Sequence, residues 1–348
     1  MVELTPLPLI VTANAAVGKR WANLAAEVLG GVTGGLVCLL GVADLAGAKT
    51  LSPAPSSDLQ HALDVSVMAT GLLAAAVASR PLRNRIARVL PIDPESPVHA
   101  LALSLTVILL GVDVAVTSFT DVLASSVEQP ALSLGDLVLD QTPFVILALI
   151  GVGLFSRRGL GDSLARLGVV VPAWWQIALA LAAAGVFFAF SQQMDSLSHS
   201  LTPDVARRVD TTTQHVFGQL GGPLGIAAIA LLPGICEEVL FRGALQPRIG
   251  LLATAVLFAS IHTQYGLSID TLAVFVIALG LGLVRKYTNT TASCACHVSY
   301  NLLAGIGIAG AAMNAAIVVE LVLVGVSAYA IWSRRRSLAP GESRLGNP

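Results

Sequence analysis

Three polar clusters interrupt otherwise apolar stretches of the chain: Glu237-Glu238-x-x-x-Arg242, Phe258-x-x-x-His262 and His297-x-x-x-Asn301. An ionisable side chain at the centre of a bilayer costs about 2.5 kcal/mol or more, so such residues mark cavities, ion pairs or reaction centres. Carboxylates and imidazoles are also the groups that move protons in catalysis. A buried Glu near a His can take a proton from water.

Spacing divides the roles. Residues four apart share a helix face, so Glu238 and Arg242 can form an ion pair where a lone guanidinium would be very costly. Glu237, turned about 100° from its neighbour, faces a different hollow and stays available as a general base or acid. The same spacing aligns His297 with Asn301 and sets the Phe258 ring beside His262. Glu237 precedes the Arg248–Gly250 turn by about a dozen residues and His262 follows it by about as many, so both lie roughly 18 Å from it and can meet across a hairpin. His297 lies roughly 12 Å into its own span from the Arg285–Lys286 loop. The three groups are thus expected to converge between mid-bilayer and the cytoplasmic face. Pro233-Gly234, just before the acidic pair, predicts a kink. Gly243, Gly280, Gly282 and Gly305 would let helices approach closely.

In order, residue type and separation, these motifs resemble those of the CPBP family. That family groups type II CAAX prenyl endopeptidases with bacteriocin-processing and self-immunity proteins of the Abi domain. The resemblance covers about residues 173–332 and implies an intramembrane endopeptidase. It implies that Glu237 with His262 activates water, that His297 and Asn301 stabilise the oxyanion, and that Glu238 and Arg242 support the site. Substrates would be peptides or membrane proteins, lipid-modified tails included. Metal-free chemistry is the expectation. The alternative is a divalent metal such as zinc, because Glu237, His262 and His297 match a catalytic zinc shell and Cys236, Cys294 and Cys296 lie near them in sequence. No His-Glu-x-x-His run accompanies them, and cysteines in apolar helices are usually packing residues.

Composition sets the fold class. The 348 residues are 55% hydrophobic and 12% charged, with a mean hydropathy of +0.79, whereas a soluble domain carries roughly 25% charged residues. Long apolar runs between short polar loops predict an all-α polytopic membrane protein, and no alternating segments point to a barrel. About ten spans are expected, near 24–45, 62–79, 98–118, 137–156, 173–191, 222–247, 250–264, 269–285, 291–309 and 312–332. Threaded alternately, they leave only Lys49, Arg207 and Arg208 on one side and nearly all other Lys and Arg on the opposite one, which predicts cytoplasmic termini. The expected location is a bacterial plasma membrane. A net charge of −1 and the lack of a basic stripe with interleaved aromatics exclude nucleic acid as a partner. Cys38, Cys236, Cys294 and Cys296 fall in or beside apolar segments, against a disulfide framework.

Texture divides the chain into residues 1–170, an N-terminal region of about four helices with no assigned role; 171–333, the protease core; and 334–348, a polar basic tail expected to be disordered. Met1–Gly18 reads as a tail or surface segment, since Glu3 sits where a signal peptide carries positive charge. Glu27, Asp44, Asp113 and Glu320 fall in or near spans, and helix contacts are the expectation for Glu320. His61, His99, His199 and His215 read as loop residues. Two rival functions stand beside the protease: a non-catalytic immunity or interaction protein on the same scaffold, and a proton-coupled transporter. The absence of a repeat between the halves counts against the transporter.

Overall fold

Prolines and cap residues start the helices where polar loops end. Ser268 accepts from the Asp270 and Thr271 amides at 3.1 and 3.3 Å, and Asn289 accepts from the Ala292 amide at 2.9 Å. Each satisfies an amide that a helix start leaves without a partner. The computed structural model describes residues 4–51, 54–308 and 311–338. In order the helices are Leu7–Ala16 (α1), Ala22–Leu45 (α2), Ser57–Val77 (α3), Arg80–Ile86 (α4), Pro97–Phe119 (α5), Val122–Glu128 (α6), Leu134–Gly151 (α7) and Leu160–Leu167 (α8). They continue with Trp174–Leu201 (α9), Pro203–Phe217 (α10), Pro223–Glu238 (α11), Gln246–Ser260 (α12), Ile269–Tyr287 (α13), Thr290–Ile306 (α14) and Ala311–Leu338 (α15). A π-helical segment, Val239–Leu245, joins α11 to α12. Among the described residues there is no β-strand.

The expected all-helical class is observed. Among the described residues, seven stretches are long and apolar enough to cross a membrane. They carry exposed leucines such as Leu39, Leu72, Leu139 and Leu321, as lipid-facing helices do. Each of the ten expected segments falls on a helix, but α11 through α12 forms one such stretch, and α13 and α14 are not among the seven. Within Pro223–Ser260, Gly250 has φ 83° and ψ 169°. This backbone region is open essentially to glycine alone, and here the chain reverses.

The N-terminal helices pack as α2 on α3 on α5, with α1 against α5 and α7. The second group sets α11 on α14 and on α7, α14 and α13 on α9, and α12 on α13 and α5. Its core includes Ala180, Ala184, Ile277, Leu281 and Cys296.

Four expectations change. His61, His99, His199 and His215, read as loop residues, lie in α3, α5, α9 and α10. The segment read as a surface tail contains α1, whose Ala13 packs with Val98 and Leu101. Asn14 anchors it by donating to the Ile150 carbonyl at 3.0 Å. The expected span 250–264 stops at Ser260, so His262 stands in the turn after α12, where Thr263–Tyr265 forms a 3₁₀ turn and Gly266 has φ 57°. At the other end, α15 continues to Leu338, beyond the expected start of the tail, and residues 339–348 lie outside the described residues. Asp44 accepts from the Leu51 amide at 3.0 Å and Glu27 from the Arg80 amide at 3.1 Å, both holding loops.

Candidate active site

Pro233 shapes α11 before the acidic pair. Lacking an N–H, it leaves the carbonyl four residues earlier, that of Ile229, without a helical donor. Asn301 Nδ2 from α14 donates to that carbonyl at 3.4 Å. A Cβ on the adjacent Gly234 would lie 2.7–3.0 Å from Val298, backbone included, so α14 reaches α11 only because that position is glycine. The π segment begins directly after Glu238, and single π turns inside helices commonly mark functional sites.

The two glutamates part as helical rotation predicts. Glu238 is fully buried and faces α14: its Oε1 lies 3.2 Å from His297 Nδ1 and its Oε2 accepts from Ser293 Oγ. Arg242 Nε is 3.4 Å from the same Oε2, with both side chains at 0% exposure. Glu238 is therefore the hub of a buried network, wider than the ion pair read from spacing. Glu237, 6% exposed, turns toward α7 instead. Its Oε1 accepts from Gln141 Nε2 at 3.3 Å, while its Oε2 is buried with no hydrogen-bond partner. Buried carboxylate oxygens rarely go unbonded, so Oε2 is where a bound water would be satisfied.

The reversal at Gly250 brings α12 back along the π segment. The rings of Phe241 and Phe258 meet edge to face at 5.2 Å. Along a straight helix their separation of 17 positions would span roughly 25 Å, so only a hairpin allows the contact. Phe258 then touches the rest of the site: its ring lies 4.7 Å from the His262 ring, 5.9 Å from that of His297, and 4.7 Å beneath the Arg242 guanidinium. One aromatic thus fixes both imidazoles.

The two histidines are held alike. His262 Nδ1 lies 2.7 Å from the Phe258 carbonyl, which can only accept, so Nδ1 carries the hydrogen and Nε2 is turned outward. His297 uses Nδ1 on Glu238 and likewise keeps Nε2 free. Glu237 and His297 both lie within electrostatic reach of His262. His262 also lines a mainly apolar cavity of about 590 Å³, with Asp113, Ser260 and Phe275 on its wall. Asp113 Oδ2 accepts from Ser260 Oγ at 2.9 Å.

All six residues singled out by spacing therefore gather around Phe258 and the α11–α14 contact. Residues 219–303 match the family model for type II CAAX prenyl endopeptidase Rce1-like proteins. That match spans all six residues, from Glu237 to Asn301. No curated protein and no solved structure matches the chain. Gln141 and Asp113 lie outside the Rce1-like segment, so the N-terminal region, to which the sequence assigns no role, contributes to the site. The polar triplet Asp140-Gln141-Thr142, interrupting the apolar residues of α7, is the signal that points to it. Ser293, the other partner that spacing does not single out, sits one helical turn before His297.

A zinc site needs its ligand atoms gathered around one point. Among the described residues, the His and acidic groups whose ligand atoms all fall within 4.8 Å of one another are Asp195, His199 and Asp210, exposed on α9 and α10. Glu237, His262 and His297 do not form such a set.

Proposed function

We propose that this chain is an intramembrane endopeptidase that hydrolyses peptide bonds of membrane-associated substrates, lipid-modified tails among them. The observation that carries this is Glu237: a buried carboxylate with one oxygen held by Gln141 and the other unpartnered, within electrostatic reach of His262. The Rce1-like match supports the protease class.

In the proposed reaction, water sits between Glu237 and His262. Glu237 takes one of its protons as the oxygen attacks the scissile carbonyl carbon, and the carbonyl π bond becomes an oxyanion. His297 in its imidazolium form, with Nδ1–H held by Glu238 and Nε2–H directed at the substrate, and the second N–H of Asn301 donate to that oxyanion, in a site where preorganised donors stabilise charge strongly. The carboxyl proton then passes to the leaving amine as the C–N bond breaks. Glu238 and Arg242 act as positioning residues. The chain would be multi-pass in a bacterial plasma membrane, with both termini cytoplasmic.

The test is cleavage of a membrane-peptide library by the purified chain, with and without chelator. Glu237→Gln is expected to abolish cleavage while keeping the wild-type melting temperature. Full cleavage by that variant would overturn the proposal.

A further inference from the structure

Arginines gather at the opposite end of the hairpin from His262, around the Gly250 turn. Arg157 and Arg158 both lie against Gly153, and Arg285 lies against Gly168, two residues after Arg166. Arg248 is 6% exposed; its Nη1 donates to the Ala244 carbonyl, and its Nε is buried without a hydrogen-bond partner. Arg285 Nε is likewise buried and unpartnered. Arg157 donates to Asn14 Oδ1 at 3.1 and 2.7 Å, and Arg158 to the Val152 carbonyl. These acceptors are all neutral.

Among the described residues, none of these five arginines has a carboxylate within ion-pair distance, whereas Arg80, Arg207, Arg208 and Arg242 each have one. Of the acids nearby, Asp93 accepts from the Glu95 amide at 3.0 Å and Glu95 pairs with Arg80 at 2.7 Å, while Asp162, exposed on α8, is in no ion pair with the five. Arg166, Arg158 and Arg157 all repel Arg248, and Arg166 repels Arg285. Burial, and then neighbouring guanidiniums, push Arg157 and Arg166 below the ordinary arginine value. Fields of like charges add rather than cancel. A half-buried cluster of this kind lacks its counter-charge.

We propose that Arg157, Arg158, Arg166, Arg248 and Arg285 form a binding site for an anionic phosphate group. Guanidinium forks match phosphate oxygens in geometry as well as charge. The cluster lies on the Arg-rich side of the chain, where the sequence bias predicts cytoplasm and where anionic lipids concentrate. Arg157, Arg158 and Arg166 lie outside the Rce1-like segment. An anion here would also brace the Gly250 turn, two residues from Arg248, that sets Phe258 and His262 against the π segment.

The full chain, purified in an uncharged maltoside detergent, is melted with phosphatidylglycerol, with phosphatidylcholine, and with inorganic phosphate against chloride at equal ionic strength. A rise with phosphatidylglycerol alone supports the site and identifies a lipid headgroup. An equal rise with inorganic phosphate supports the site and identifies free phosphate. No rise with either, relative to phosphatidylcholine and chloride, overturns it. The partly exposed pair Arg158→Gln/Arg166→Gln should weaken binding by about fivefold per arginine removed, while melting in chloride is unchanged or higher. Unchanged affinity in that variant also overturns the proposal. Both readouts are binding measurements, so their outcome is independent of the peptidase reading.

Discussion

Asn301 supplies the hydrogen-bond donor that Pro233 cannot: its amide reaches the Ile229 carbonyl at 3.4 Å, the group a residue with an N–H at position 233 would have bonded. Two motifs far apart in sequence are thereby tied at the backbone. Removing the donor leaves a half-buried carbonyl unsatisfied, so Asn301→Ala should destabilise the chain by about 1–3 kcal/mol. Pro233→Ala restores a local N–H, and in that background Asn301→Ala should cost clearly less. Melting temperatures of the four proteins in the cycle measure the coupling; strictly additive shifts would refute the relationship.

Arg242 and Glu238 form a fully buried pair. Taking one partner from such a pair strands a charge and typically costs about 3–5 kcal/mol. Arg242→Ala should therefore lower the melting temperature severely or prevent folding. Arg242→Met/Glu238→Leu should recover much of that stability yet remain inactive, because His297 loses the carboxylate that holds its Nδ1. Recovered peptidase activity in the double variant would show that Glu238 does not position His297.

Gln141 is tied to the site by its hydrogen bond to Glu237. Its hydrogen bond to a carboxylate is of a kind worth about 1.5–3 kcal/mol. Gln141→Leu should reduce kcat by roughly ten- to a hundredfold, with KM little changed, when measured well below the variant's melting temperature. An unaltered kcat would mean that α7 does not help orient the proposed base.

Gly250 takes a backbone conformation reserved for glycine. Gly250→Ala should cost about 1–3 kcal/mol. It should also widen the Phe241–Phe258 contact, lowering peptidase activity beyond what the stability loss explains. Activity measured well below the variant's melting temperature separates the two effects.

At the other side of the fold, Asp121 links α6 to Arg208 on α10. Its acceptance from the Ala124 amide, followed by Arg208, outweighs burial and holds its carboxyl below the ordinary aspartate value. A carboxylate lowered in the folded state contributes stability above its unfolded value, and that contribution disappears as pH falls through the folded value. The melting temperature of wild type should drop in acid more steeply than that of Asp121→Asn. Parallel pH profiles would exclude a role for this carboxylate.

Helical periodicity makes much of the site legible in the order of residues alone. Different faces for Glu237 and Glu238, the Glu238–Arg242 pair and the shared face of Phe258 and His262 follow from 3.6 residues per turn, a local rule carried by any helix. The reversal near Gly250 is readable because the acidic pair and His262 lie equally far from one turn. Packing between helices decides the remainder. Gln141 meets Glu237 across 96 residues of chain, and Ser293 and His297 converge on Glu238, contacts that leave no period in the sequence. Only the tertiary arrangement could assign Asn301 to the carbonyl freed by Pro233, move His262 out of α12 into the following turn, and gather arginines from separate elements with no carboxylate in ion-pair range. Such relations depend on how helices dock, and docking is settled by shape and burial over the whole fold rather than by neighbours along the chain.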